Sequence, residues 1–318
     1  MNWLRYLGID NRENHPRDRV TVVLGGGGAR GLSHLGVLRA MEARSIAIDR
    51  ILGVSIGALV GALHATSDNA HDAQQKAFTL LKSKSFARTK SELAMASGPS
   101  KPDHTESYFQ WFAQAKRMVA AHRRLSRGLT SAGLLSDIWL REAIDHLLPD
   151  IDIAQTRVPI SIAAIDLLSG RRVTLDRGPL RLAVRASMSI PGIFPPVRWQ
   201  SNKLQRGHNL LLCDLGVIES APVELARQHG AKYVVAVDVA QELPPIVKCD
   251  SAMEITMRVG DISEQLMRPY QTTKADLVIR PDVGHVSWFD FSQPATLIRA
   301  GFKAGQDAMT GFSFDKAA

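Results

Sequence analysis

A Gly-x-Ser-x-Gly motif, Gly53-Val54-Ser55-Ile56-Gly57, contains the residue of this sequence best suited to act as a nucleophile. Apolar residues precede the motif, and a helix-like run, 58–65, follows it. A strand that turns sharply into a helix holds its turn residue in a strained conformation and pushes that side chain out at the end of the sheet. The two glycines let neighbouring backbone approach, and the helix N-terminus favours negative charge on the serine oxygen. The pattern therefore predicts Ser55 as a nucleophile.

A glycine-rich loop lies one predicted strand earlier, at Gly25-Gly26-Gly27-Gly28-Ala29-Arg30-Gly31. Because it joins a β-branched run, Val20–Leu24, to a helical pattern, its backbone N–H groups can bind an anion. One interpretation is a dinucleotide fingerprint, Gly26-x-Gly28-x-x-Gly31, with Asp49 at a suitable distance for ribose. The other is an oxyanion hole for acyl transfer. The Ser55 motif on the next strand favours the second, since a nucleotide site has no need of it.

The serine needs a base, and the residues alone leave two possibilities open. Asp214 follows an apolar run, 210–213, at a strand end where open α/β sheets place their sites. In a dry environment its pKa would rise, so that it could act first as base and then as acid. The alternative is a triad of Ser55, Asp238 and His285, in the chain order that α/β-hydrolases use.

Apolar runs alternate with helical patterns along the rest of the chain. This alternation predicts an α/β fold whose mostly parallel central sheet is covered on both faces. A stiff apolar loop, 191–196, suits the wall of an acyl-chain pocket, although a packed structural loop explains it equally well. Beyond Val20–Leu24, the predicted strands are 158–168, 172–175, 210–213, 233–239 and 276–279, and the predicted helices are 32–42, 58–65, 134–148, 180–188 and 252–267.

Basic residues are concentrated in one part of the chain. Segment 76–127 holds 11 Lys and Arg against 3 Asp and Glu, a difference of 8 that equals the net charge of the whole protein, +8. Within it, 107–127 has the spacing of a basic amphipathic helix, a type that can lie on a membrane. We therefore predict that 66–133 forms a basic helical cap or insertion. One interpretation of the basic segment 76–127 is peripheral contact with an anionic membrane, and the other is a solvated face.

Composition sets broader limits. The chain has 318 residues, of which 45% are apolar, enough for an ordinary core. Its two cysteines form no cluster, and no apolar run reaches the roughly 20 residues that cross a bilayer. We expect a cytoplasmic protein that can associate peripherally with a membrane and has no nucleic-acid partner. Residues 1–18 are expected to form an N-terminal arm and 19–318 the catalytic domain.

The glycine loop, the Ser55 motif and Asp214-Leu215-Gly216, in this order, resemble the three signatures of patatin-like phospholipases. The resemblance covers roughly 20–65 and 134–285, including Leu32-Ser33-His34-Leu35-Gly36-Val37-Leu38, Ala186-Ser187-Met188-Ser189-Ile190-Pro191-Gly192 and Pro222-Val223-Glu224-Leu225. It implies a three-layer α/β/α fold and a lipid acyl hydrolase with a Ser/Asp dyad and no metal or organic cofactor.

Carried onto this sequence, the resemblance implies Ser55 as nucleophile, Asp214 as general base, and an oxyanion hole at Gly27 and Gly28 with Arg30. The motif glycines are Gly26, Gly31, Gly53, Gly57 and Gly216. One departure is Leu215, where the family usually has glycine. If that position required a positive φ, Leu215 would strain the loop at a cost of roughly 1–2 kcal/mol and displace Asp214. The alternatives are therefore a catalytically weakened lipid-binding or regulatory protein, or an acyltransferase.

Overall fold

The computed structural model describes residues 20–83, 86, 136–200, 209–240, 243, 245–247, 249, 252–288 and 290–312. The predicted arm, 1–18, the predicted amphipathic helix, 107–127, and most of the predicted cap lie outside these ranges. The strands of the described part are β1 Val20–Leu24, β2 Ile48–Val54, β3 Ile160–Asp166, β4 Arg171–Leu175, β5 Val197–Gln200, β6 Asn209–Cys213, β7 Tyr233–Val237 and β8 Leu277–Ile279. Its helices are α1 Ser33–Ala43, α2 Ile56–Ala65, α3 Ala70–Lys82, α4 Ile138–Leu147, α5 Leu180–Ser187, α6 Val223–Gln228, α7 Ala252–Gln271 and α8 Pro294–Met309.

The strands form one sheet in the order β5-β6-β3-β2-β1-β7-β8, with β4 paired to β3. The five consecutive strands β3-β2-β1-β7-β8 run parallel to one another. The strands β4, β5 and β6 are antiparallel to their partners at the other edge. The structure thus confirms the predicted α/β fold with a mostly parallel sheet.

Both faces of the sheet are buried, which explains why its strands are continuously apolar. Successive side chains of a strand point to opposite faces. In β1, Val22 and Leu24 pack in a large core cluster shared with α1, α2 and α8, whereas Val23 packs in a second cluster with α6. Helices on both faces make the three layers that the sequence analysis predicts.

Most predicted elements are present, but their boundaries differ and three elements were not predicted. The strand predicted at 158–168 is Ile160–Asp166, and the helix predicted at 252–267 continues to Gln271 through Pro269. The unpredicted elements are β5, α6 and α8. A four-residue strand with two exposed polar positions has too weak a pattern to be recognised, and it exists because β6 pairs with it. No helix within the described residues combines the length and apolarity needed to cross a bilayer.

Candidate active site

Ser55 occupies a sharp turn between β2 and α2. Its backbone has φ 56° and ψ −127°, and it is one of two non-glycine residues with positive φ among those described. Such a conformation is strained for a side-chain-bearing residue, and surrounding packing must hold it in place. A Cβ added at Gly57 would lie only 2.1 Å from the Leu24 carbonyl oxygen, so glycine is required where α2 crosses the end of β1. The predicted strand–turn–helix arrangement around Ser55 is present.

Ser187, at the end of α5, holds this turn. The Ser55 N–H donates a 2.9 Å hydrogen bond to Ser187 Oγ, which itself donates to the Ala163 carbonyl at 2.7 Å. All three groups are buried, so the bonds satisfy a backbone donor that the turn would otherwise leave without a partner. Ser187 lies in the stretch 186–192 that resembles the family, but the sequence pattern assigns it no role. No local signal could have done so, because its partner is 132 residues away.

Asp214 lies directly after β6 and next to Ser55. The Gly216 N–H donates to Asp214 Oδ1 at 2.7 Å, and the Ser55 side chain is close enough to the carboxylate to lower the pKa of Asp214. The Asp214 N–H is fixed by the Ser189 carbonyl at 2.9 Å. Burial raises the pKa of Asp214 to about 7, against the opposing effects of the Ser55 side chain and the Gly216 N–H. The structure therefore brings a hydroxyl together with a carboxylate that can gain or lose a proton near neutral pH.

Leu215 does not strain the Asp214 loop. Ser45 and Ser55 are the non-glycine residues with positive φ in the described ranges, and Leu215 is not among them. Its side chain is buried in the second core cluster, which also contains Val54 of β2. The condition under which Leu215 would displace the aspartate is not met, because this position needs no left-handed backbone. The substitution adds apolar packing behind the site.

The glycine loop is fixed on several sides. The N–H groups of Gly25, Gly26 and Ala29 donate to the carbonyls of Val237, Ser220 and Trp288 at 3.1, 2.9 and 2.7 Å. By contrast, the N–H groups of Gly27 and Gly28 have no acceptor among the described residues. Gly26 packs against the turn, since a Cβ added there would lie 3.5 Å from Ser55 Cβ. Two backbone donors at the start of a short 3₁₀ helix therefore lie beside Ser55, where they can bind an anion.

Two buried side chains support this loop. Arg30 donates from Nε to the Val239 carbonyl at 2.9 Å and from Nη1 to the Val286 carbonyl at 3.0 Å. Burial lowers the pKa of Arg30 to about 10, so the guanidinium remains charged at neutral pH. His34 Nε2 lies 2.8 Å from the Gly25 carbonyl, and burial lowers the pKa of His34 to about 4, so the ring is neutral and protonated at Nε2. These contacts hold the loop, and the two Arg30 donors that make them are directed at backbone carbonyls.

An apolar cavity opens next to Ser55. The space inside it, counted together with the part open to solvent, is about 890 Å³. Among the described lining residues, Ser55 is the only one with a hydroxyl or ionisable side chain. From the loop 191–196, Phe194 lines the cavity and is also packed in the large core cluster, so both interpretations of this loop remain open. The other lining residues are Gly28, Leu32, Leu35, Ile56, Leu59, Val60, Leu63, Ala77, Leu80, Leu81, Phe86, Trp139, Leu140, Ala143, Leu147, Met188, Ile190, Trp288 and Phe291.

The alternative assignments find no support in these contacts. Asp238 accepts hydrogen bonds from the Ala240 N–H and from Arg280 Nε, at 3.1 and 3.2 Å. The His285 side chain is 70% exposed and lies nearest to Asp282, at 3.9 Å. No described contact joins either of them to Ser55.

The dinucleotide interpretation also finds no support. Asp49 lies at the beginning of β2, whereas the glycine loop follows the end of the parallel neighbour β1. At about 3.3 Å per residue, the length of the strand separates the two.

Comparison with known proteins places this geometry in context. The sequence model of the patatin-like phospholipase family matches residues 22–227. An uncharacterized NTE family protein of Mycobacterium tuberculosis (strain ATCC 25618 / H37Rv) is 28% identical over 221 residues, which are 70% of this chain and 49% of that protein. Human patatin-like phospholipase domain-containing protein 6 is 33% identical over 224 residues, 70% of this chain and 13% of that protein.

Two solved structures also match this chain. VipD from Legionella pneumophila has a TM-score of 0.47 at 15% identity, covering 93% of this chain and 67% of that one. Human GIVD cytosolic phospholipase A2 has a TM-score of 0.47 at 10% identity, covering 96% and 61%. The chain spans about half the length of the mycobacterial relative and a smaller share of the human one. The family model matches well over half of the residues, so this chain belongs to the patatin-like phospholipase family.

Proposed function

We propose that this protein is a serine hydrolase that cleaves carboxylic ester bonds of lipids through an acyl-enzyme on Ser55. The observation that carries the proposal is that Ser55, which lines an apolar cavity, lies beside the buried Asp214 carboxylate: a Cβ added at Gly216 would be 2.9 Å from Asp214 Oδ1 and 3.6 Å from Ser55 Cβ. A hydroxyl becomes a nucleophile when an adjacent base takes its proton. The family supports lipid ester hydrolysis as the general class of reaction.

In the first half-reaction, Ser55 Oγ attacks the ester carbonyl carbon while Asp214 accepts the hydroxyl proton. The carbonyl π electrons move to its oxygen, and we assign the N–H groups of Gly27 and Gly28 to bind that oxyanion. The intermediate collapses, the bond to the leaving alkoxide breaks, and Asp214 returns the proton to the alkoxide. A carboxyl group whose pKa is about 7 suits both transfers at neutral pH.

In the second half-reaction, water takes the place of the leaving alcohol. Asp214 accepts a proton from water as its oxygen attacks the acyl-enzyme, and the same donors bind the second oxyanion. The Ser55–acyl bond then breaks, Ser55 Oγ recovers the proton, and a fatty acid is released. An acceptor alcohol in place of water would make the same site an acyltransferase.

The cavity supports a long acyl chain as the part of the substrate that it binds. Its described walls are aliphatic and aromatic, so burying methylene groups there gains about 0.8 kcal/mol each, whereas a charged head group would lose its hydration. We therefore assign the acyl chain to the cavity and the head group to its outside.

A fluorophosphonate probe and a series of p-nitrophenyl acyl esters test the proposal. We expect the probe to label the wild type but not Ser55→Ala, and kcat/KM to rise from acetate to longer acyl chains. Asp214→Asn should lower kcat/KM by several orders of magnitude, because a nucleophile and its base act as a unit.

His285→Ala is the control, and it should hydrolyse the esters at close to the wild-type rate. Loss of turnover in this variant with retention in Asp214→Asn would contradict the dyad. Absence of turnover on every ester and lipid, with no probe labelling, would contradict the enzymatic proposal itself.

A further inference from the structure

Helix α7 presents an apolar face to solvent. Six side chains, which we call the α7 stripe, are between 41% and 70% exposed: Ile255, Val259, Ile262, Leu266, Met267 and Tyr270. Steps of three and four residues place them along one side of the helix. A helix of 20 residues is about 30 Å long, so the stripe is a continuous surface rather than isolated exposed residues.

The charged α7 side chains that the structure describes are turned away from solvent. Every described residue of the helix that is classed as exposed is uncharged, including Thr256, Ser263 and Pro269, whereas Arg258, Asp261, Glu264 and Arg268 are half-buried. Glu264 accepts a hydrogen bond from Ser220 Oγ and pairs with Arg268 at 2.6 Å. A surface helix normally turns its apolar side to the core and its charges to water. The orientation of α7 is the reverse.

Core packing does not account for the stripe. None of the described α7 residues belongs to either apolar cluster. Polar contacts attach the helix instead: Gln271 donates to the Ile218 carbonyl at 3.1 Å and accepts from the Ala221 N–H at 3.3 Å, and Gln265 accepts from the Leu243 N–H at 3.1 Å. The apolar side chains are therefore available to an external partner.

The stripe lies beside the active-site loops. Ile218 follows Asp214 by four residues, is itself 55% exposed, and is held to the end of α7 by Gln271. Ser220, which bonds to Glu264, also accepts the Gly26 N–H of the glycine loop. The helix thus lies at the carboxyl end of β1, the end of the sheet at which the turn that carries Ser55 is located.

We propose that the α7 stripe docks the protein onto a lipid surface next to the active site. This inference rests on the proposed function. An acyl chain that moves from a lipid aggregate into the cavity has the shortest path if the aggregate contacts this end of the sheet. A face without charged side chains binds by burying apolar area, not by attracting anionic head groups. Docking through this face therefore requires no anionic lipid.

Vesicle flotation in the Ser55→Ala background tests the proposal without hydrolysis of the vesicles. The Ile262→Gln/Leu266→Gln variant should partition onto phosphatidylcholine vesicles at least tenfold more weakly than its parent. The matched control is Leu167→Gln/Leu168→Gln, two residues of similar exposure in the turn after β3, which should partition like the parent. Binding should be nearly equal at about 0.1 M and about 1 M NaCl, since screening weakens only charge–charge attraction.

With Ser55 intact, the α7 variant should cleave soluble p-nitrophenyl butyrate at the parent rate, which shows that its fold and site are undamaged. Equal flotation of variant and parent, an equal loss in the control, or binding that needs phosphatidylglycerol and disappears at high salt would each overturn the proposal. So would a parent dimer that the variant converts to monomer in sedimentation velocity without a change in flotation, which would assign the stripe to a second copy. A lower Tm with unchanged flotation would assign it to another segment of the same chain.

Discussion

At the scale of single residues, the environment of Asp214 decides whether it can serve as the proposed base. Complete burial opposes ionisation, while the Ser55 hydroxyl and the Gly216 N–H partly stabilise the charged form, and the balance raises the pKa to about 7. The same carboxyl exposed to water would be a far weaker base, because its pKa would lie near 3.8. The dryness of the site is therefore as important as the identity of the residue.

The pH dependence of hydrolysis should follow this pKa. Only the ionised form of Asp214 can accept the Ser55 proton, so kcat/KM should rise with pH and level off above about 7. Initial rates on a soluble ester between pH 5 and pH 9 measure it. A profile that is flat across this range would contradict a base with this pKa.

The free energy of unfolding should also depend on the ionisation of Asp214, but it should fall as the pH rises. The pKa of Asp214 is about 7 in the folded protein and 3.8 in the unfolded chain. The group therefore stabilises the fold below about pH 3.8, and this contribution to the free energy of unfolding is lost as the pH rises to about 7. Asn at 214 cannot ionise, so Asp214→Asn should become more stable than the wild type at alkaline pH, by as much as about 4 kcal/mol. Urea unfolding at pH 5 and pH 8.5 measures the difference, and a difference independent of pH would contradict the prediction.

At the scale of elements, α5 supports the turn that carries Ser55. Ser187→Ala would leave the buried Ser55 N–H without its acceptor, which costs about 1–3 kcal/mol. Because the turn is strained, we also expect kcat to fall at least tenfold while KM changes little. Ser189→Ala is the control: its hydroxyl donates to the Arg185 carbonyl, so both losses should be smaller. Equal effects of the two substitutions would show that Ser187 has no special role.

Helix α4 forms part of the cavity wall, through Ala143 among other residues. Ala143→Phe should fill space that a long acyl chain occupies. The ratio of kcat/KM for dodecanoate to kcat/KM for butyrate should therefore fall tenfold or more. Glu142→Phe adds the same side chain at a neighbouring exposed position and should leave the ratio unchanged. A drop that is equal for both esters would indicate general damage instead of lost cavity volume.

At the scale of the whole molecule, the cavity lies within the larger of the two cores, so an occupant should stabilise the fold. A long-chain alkyl phosphonate bound to Ser55 should raise the Tm more than a methyl phosphonate. The long chain removes apolar area from water both on itself and on the cavity wall. Each kcal/mol corresponds to roughly 2–4 °C for a domain of this size class. Scanning calorimetry of the two adducts tests this, and equal Tm values would place the chain outside the cavity.

Local patterns identified much of the architecture. The strands Val20–Leu24 and Tyr233–Val237 were recognisable because burial on both faces makes them continuously apolar. The Ser55 turn was recognisable because close approach of backbone requires glycine on either side. By contrast, α6 and β5 are short and weakly patterned, and they owe their existence to partners elsewhere in the chain.

The sequence by itself determined the α/β class, the strand–turn–helix arrangement at Ser55 and the glycine loop, because each depends on residues that are close along the chain. Only the tertiary structure decided that Ser55 meets Asp214, that Leu215 packs without strain, and that Ser187 holds the turn. It also decided that α7 turns its apolar side outward. These features arise between residues far apart in sequence, and burial, hydrogen-bond partners and pKa values exist only once the chain has folded around them.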